Sequence, residues 1–428
     1  MNGHQDYVPT QQLPDFAAGL KLASKNHLYT IGLGSLVPLP SVETGVREAL
    51  SRPIDSPPIS ELVNYGSRIL ILADDITRPT PQRQLIPPLL EVMEECGARP
   101  ENITILIALG THRPMTGGEI RKHFGATVAE RVEIRNHEFN DPTMVVEYGV
   151  TDEGTPITIN RRVPESDFVI GVSSIVPHAQ VGWGGGCKIV LPGVSGAPTV
   201  EAMHRMAAGL SGYPYFAGRV NNPVRDLIEE VAQKAGLGFV LNVVFNANYE
   251  VSEIVAGHPV QAHRRGVMRA EPVFVRDIPE PADIVIANAH PAELEYWQGL
   301  KALTLAAMGL KNNGTIILVG EFPDGVSQSH EELELYGGLA LEEFDAAVLR
   351  GEIQNGLCIG ALYQHILVRE RATVYCVSNG LSAQQKSNLG FLHFHDIQTA
   401  LNAALLTHGE GSGVGIIDQG GEVIPRVP

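Results

Sequence analysis

Three segments of the chain bring together residue types that can do chemistry. In Asp74-Asp75-Ile76-Thr77-Arg78-Pro79-Thr80-Pro81, proline presets a first helical turn, and the free amides there together with Arg78 could hold an anion. An N-cap with a surface ion pair accounts for the same residues equally well. Gly110-Thr111-His112-Arg113-Pro114-Met115-Thr116 offers a histidine, the side chain that titrates near neutrality and so suits proton transfer. A single loop histidine is more often merely polar.

The third segment, residues 173–196, is the densest. It carries His178, glycines at 182, 184, 185 and 186, then Lys188 at the mouth of an apolar run. Clustered glycines let backbone approach a bulky ligand closely. The pattern is not a phosphate-binding Walker loop, because Cys187 and Ile189 stand where that motif needs Gly and Ser or Thr. Nor is it the dinucleotide fingerprint. What remains is a lysine among glycines, available for charge pairing or for a covalent bond to a cofactor. His204 follows on an expected helix, where a lone histidine is usually structural. Farther on, Gln298 and Lys301 lie three apart, so on a helix they share a face and could grip a carboxylate; a solvated helix start is the plain alternative. His290 and the His393/His395 pair lack supporting neighbours and read as background.

Elements must position these groups. Short apolar runs alternate with helix-length amphipathic stretches, the pattern of parallel strands covered on both faces, so the expected class is α/β with mainly parallel sheets. Expected strands are 28–33, 68–73, 103–109, 168–172, 239–244, 284–287, 316–319 and 373–377. Helices are expected over 80–96, 116–124 (with a Thr116/Glu119 capping box), 222–235 and 295–310, the last ended by an Asn-Asn-Gly turn at 312–314. The acidic run 331–345 reads as the solvated face of one more helix. The proline-rich, charged segment 276–283 is the best boundary. It divides an N-terminal α/β domain, 1–278, from a second α/β domain, 279–408, with the tail 409–428 expected to return to the first domain as an edge element. Ligands of open parallel sheets sit at the carboxyl ends of strands, where all three segments fall.

Composition sets limits. The chain has 428 residues, 44% hydrophobic, enough for more than one core. A net charge of −17 disfavours phosphate backbones and anionic lipid headgroups, so neither nucleic acid nor a membrane surface is expected as a partner. No apolar run is long enough to span a membrane, and the start lacks the features of a signal peptide, so a cytoplasmic location is expected. Four scattered cysteines suggest reduced thiols rather than disulfides.

Taken together, D-D-x-T-R-P at 74–79, G-T-H-R-x-M-T at 110–116, H-x-x-x-G-x-G-G-G-x-K-x-x-x-P-G at 178–193, T-x-x-x-x-H ending at His204 and Q-x-x-K at 298–301 resemble the nickel-dependent lactate racemase family. The resemblance implies a racemase or epimerase acting at C2 of a 2-hydroxy acid through a 2-keto acid, by reversible hydride transfer to a nickel pincer nucleotide. It implies that Lys188 tethers this cofactor and His204 ligates nickel. Asp75, Thr77, Arg78 and the amides of Gly184, Gly185 and Gly186 would serve the nucleotide or its hydrogen-bond network. His112 and His178 would be the two acid/bases, with Arg78, Trp297, Gln298 and Lys301 binding substrate in a cleft between domains. It also implies dependence on enzymes that make the cofactor. Trp297 stands where the family's lactate enzymes carry tyrosine, so malate, aryl or sugar acids stay open beside lactate. Two other readings compete: a noncatalytic carrier of the cofactor, and a nickel-free enzyme using Arg78 and Lys188 as anion clamps.

Overall fold

Short continuous apolar runs build two six-stranded sheets, each buried on both faces. The computed structural model describes residues 6–208, 210, 215–353 and 355–428. The first sheet runs, edge to edge, through Val251–Gly257, Phe239–Phe245, Phe168–Ser174, Ile69–Asp74, Ile103–Ala108 and Glu133–Asn136. Every pairing is parallel except that of the Val251–Gly257 edge. Within it Ile69, Ile71 and Ala73 face one core with the helix Gln82–Glu95, while Leu70 and Leu72 face another with the helix Pro223–Lys234. The chain adds strands outward from Ile69–Asp74 on one side, then crosses to Phe168–Ser174 on the other. The switch point therefore lies between those two strands, and ligands of such sheets bind outside the carboxyl ends at that point.

The second sheet is wholly parallel, in the order His27–Ile31, Val414–Ile417, Ala282–Asn288, Leu310–Val319, Ala372–Val377 and Leu392–Phe394. Here the structure departs from the expected partition. The strand His27–Ile31, inside the 1–278 segment, belongs to this sheet. The tail strand Val414–Ile417 is an interior strand of the same sheet rather than an edge of the first, and only Ile424–Arg426 turns back, pairing with Val275–Asp277. The physical reason is burial: Val414, Ile416 and Ile417 are fully buried, which an edge strand would not achieve. Its switch point lies between Ala282–Asn288 and Val414–Ile417.

The expected strands appear within two residues of their ends, save one. The Asn-Asn-Gly segment is no turn; it is an irregularity in the strand Leu310–Val319, with Asn313 in the left-handed region at φ 61°. The capping box at Thr116 is present, heading the helix Gly117–Phe124. The run 331–345 forms two short helices, Glu332–Tyr336 and Leu341–Leu349, rather than one. No helix among the described residues is long and apolar enough to cross a membrane.

Candidate active site

The loops at the two switch points carry nearly all the residues singled out from sequence. After Ile69–Asp74, the buried Asp75 accepts from the Thr77 amide (3.1 Å) and hydroxyl (2.6 Å) through Oδ1, and its Oδ2 lies 2.7 Å from His112 Nδ1. That contact fixes the imidazole: Nδ1 carries the proton toward the carboxylate and Nε2 is left as an acceptor. Burial alone would raise the Asp75 carboxyl, but its bonds from His112 and Thr77 and the nearby Arg78 charge hold it below the ordinary aspartate value. Asp75 therefore fixes the orientation of the His112 ring.

His178 lies in a two-strand ribbon with Gly182–Trp183 and is half-buried. The Gln180 amide donates to its Nδ1 at 3.3 Å, so the resting neutral ring carries its proton on Nε2, the opposite tautomer to His112. Burial and the charges of Lys188, Arg78, Lys301 and Arg225 hold it well below the ordinary histidine value. Lys188 is lowered to about 7, first by burial and then by Arg78, while Asp74 is raised to about 6 by burial. Lys301 is lowered to about 8 by burial and Arg78, and its Nζ donates to Gln298 Oε1 at 3.0 Å. Arg78, His178, Lys188 and Lys301, from four separate segments, thus sense one another's charge in one poorly hydrated place. Such a concentration of cations favours an anionic ligand.

The glycine-rich loop has a different use from the expected one. The amides of Gly184 and Gly186 are spent inside the protein, on Val176 O (2.7 Å) and Asn242 Oδ1 (3.0 Å), so they are not free for a phosphate. A Cβ on Gly186, at φ +58°, would come within 2.8 Å of the His263 ring, and one on Gly185 within 3.0 Å of Ile175 and Ser174. These glycines allow dense backbone packing rather than an opening for a ligand. The buried Arg225 and His263 complete the support, donating to carbonyls of residues 183–185. The loop is a rigid mount for Lys188.

The Lys188 ammonium makes no hydrogen bond or ion pair with any described residue, its backbone being held by Gly185 and Gly193. A lysine whose pKa is lowered to about 7, with only the nearby Asp74 carboxylate opposing that shift, is chemically suited to covalent attachment of a group. The Ser174 hydroxyl is buried with no hydrogen-bond partner among the described residues, and Gln82 Oε1 likewise. Polar atoms left this way at a sheet switch point fit a bound polar ligand. His204 is half-buried on the helix Ala197–Ala208, whose Val200, Met203 and Ala207 share a core with Cys187 and Ile189 on either side of Lys188.

Some site residues escaped sequence reading. Glu422, from the tail, is half-buried, accepts from the Tyr249 hydroxyl at 2.7 Å and senses Lys301 and Arg78. Its loop is held by Gly420 and Gly421 amides donating to Asn288 and His290 carbonyls, so it sits at the second sheet's switch point. Burial raises its carboxyl. The Tyr249–Glu422 bond joins the loops of the two sheets. No local signal marks either residue. Trp297 stacks on His330 with ring centroids 4.0 Å apart.

Comparison with known proteins points the same way. Residues 16–211 match the lactate racemase N-terminal domain. The chain is 31% identical over 320 residues to the lactate racemase of Thermoanaerobacterium thermosaccharolyticum, covering 73% of this chain and 72% of that one. It is also 31% identical over 291 residues to the lactate racemase of Lactiplantibacillus plantarum, covering 67% of each. The solved lactate racemase apoprotein of the first organism superposes with a TM-score of 0.86 at 26% identity, over 95% of this chain and 97% of that one. A Thermotoga maritima protein shares the fold, with a TM-score of 0.71 at 21% identity over 92% and 100% of the two chains.

Proposed function

Because the chain belongs to the lactate racemase family, and is an isomerase of that kind, we propose that it inverts C2 of a small 2-hydroxy acid, lactate or a near relative. The observation that carries this reading is the gathering of two histidines in opposite tautomers with Arg78, Lys188 and Lys301.

Arg78 and the Lys301/Gln298 pair orient the substrate carboxylate, the guanidinium by a two-point contact and the ammonium as a point charge. His112, held by Asp75, takes the hydroxyl proton at Nε2 from one enantiomer. His178 serves the other. In the free enzyme burial and then the surrounding cations keep His178 neutral; the bound carboxylate offsets the cations and so favours protonation of this imidazole when substrate is in place. Two groups are needed because inversion exchanges which side of the planar 2-keto acid receives hydrogen. Lys188 and His204 would hold a nickel pincer nucleotide, the first covalently and the second as ligand to nickel, a metal that imidazole suits. When bound, that group supplies a reversible acceptor for the hydrogen of C2 with its electron pair. Asp75, Thr77 and the packed glycine loop act on this site by holding His112 and Lys188 in place. Closure of the two sheets' loops over the site, where Tyr249 meets Glu422, excludes water from the keto acid. The chain then depends on cofactor-making enzymes and works in the cytoplasm.

The test is a chiral assay of protein coexpressed with those enzymes against a panel of 2-hydroxy acids, with peptide mass spectrometry of Lys188. Interconversion of at least one acid and an adduct on the Lys188 peptide are expected. An unmodified Lys188 in protein that racemises, or nickel-loaded protein inert toward the whole panel, would overturn the reading.

A further inference from the structure

We propose that His330, Glu332 and Cys358 form a second metal site, for a thiophilic divalent cation of the zinc type, set behind Trp297. Cys358 Sγ lies 3.3 Å from His330 Nδ1 and 3.3 Å from Glu332 Oε2, and the three atoms fall within 4.8 Å of one another. A tetrahedral zinc ion with Zn–S near 2.3 Å and Zn–N or Zn–O near 2.1 Å requires donor separations of roughly 3.6 Å. The two sulfur separations are within a few tenths of an ångström of that value, and all three donors lie within the 4.8 Å that side-chain rotation can close around an ion.

The donor set also selects the ion. Thiolate, imidazole and carboxylate together suit zinc and its neighbours, whereas calcium and magnesium take all-oxygen shells. Outer contacts already fix two of the ligands. Asn355 Nδ2 donates to the other Glu332 oxygen at 3.0 Å, and the His330 ring is stacked on Trp297 with an interplanar angle of 27°. Glu332 forms no ion pair with a lysine or arginine of the described residues. Cys358 is fully buried beside it. A carboxylate against a buried thiol lacks a countercharge that a cation supplies, the thiol proton passing to solvent on binding. Three protein ligands leave one coordination position open. None of the three ligands is a residue assigned to the nickel cofactor, and occupancy would set the plane of Trp297 through His330.

The test uses the full-length chain without the nickel cofactor, reduced, chelator-stripped and titrated anaerobically with Co2+ and then Zn2+, so it stands apart from the racemase reading. One equivalent of Co2+ is expected to give a thiolate-to-cobalt charge-transfer band that Zn2+ displaces, with a parallel change in Trp297 fluorescence. The band should vanish in Cys358→Ser and persist in Cys187→Ser. Glu332→Gln and His330→Ala should each weaken Zn2+ binding at least tenfold. A wild-type chain without the band, a band surviving in Cys358→Ser, or unchanged affinity in Glu332→Gln would overturn the proposal; the last arm holds even if Cys358→Ser fails to fold.

Discussion

Asp75 Oδ2 and His112 Nδ1, 37 residues apart in sequence, lie 2.7 Å apart at the ends of adjacent parallel strands. The pair dictates which imidazole nitrogen can take a proton. In Asp75→Asn the amide can still accept from Thr77, but its NH2 turned to Nδ1 forces the wrong tautomer and blocks Nε2. Cofactor-loaded Asp75→Asn is expected to lose roughly 10²–10⁴ in kcat with little change in thermal stability. A loss below about threefold in the chiral assay would remove Asp75 from the mechanism.

Lys188 should be the most reactive amine of the apoprotein. Only the unprotonated amine attacks acylating reagents. With its pKa lowered to about 7, about half is unprotonated at pH 7, against fewer than one in a thousand for an ordinary lysine. Site-resolved acetylation followed by mass spectrometry should therefore show a Lys188 half-point near neutrality. Arg78→Gln removes a charge that lowers this pKa and should move the half-point to higher pH. A half-point near that of surface lysines in the wild-type chain would contradict the site's electrostatics.

Gly186→Ala tests the glycine loop as scaffold. The substitution places a Cβ 2.8 Å from the His263 ring at a φ of +58°. Together these should cost about 2–4 kcal/mol in urea unfolding. A cost under about 0.5 kcal/mol would show that the loop yields, and its rigidity would no longer explain the mounting of Lys188.

Removing residues 409–428 should abolish folding rather than trim an edge. The deletion takes out Val414–Ile417 from between His27–Ile31 and Ala282–Asn288 and detaches the N-terminal strand from its sheet. Loss of the cooperative thermal transition is expected by calorimetry. A truncated chain melting like the full one would show that the strand is dispensable.

The α/β class was legible because buried parallel strands leave short apolar runs whatever surrounds them, and strand ends could be read within two residues. The Asn-Asn-Gly segment misled because a turn-forming triplet also suits a strand irregularity, and only pairing with Ala282–Ile284 separates the two. His112, His178 and Lys188 stood out by residue type at strand ends. Their partners farther along the chain did not: Glu422, Tyr249, Arg225 and His263 carry no local pattern.

By itself the sequence determined which loops hold the chemical groups, since strand periodicity and the position of a loop after its strand are local properties. Only tertiary structure decided what those groups became. The tail's place inside the second sheet, the glycines' service to packing, the Asp75–His112 orientation and the Trp297–His330–Cys358 arrangement all depend on contacts between distant segments. So do the lowered pKa of Lys188 and the raised one of Asp74, because water exclusion and neighbouring charge are set by the assembled fold and leave no trace in residue spacing.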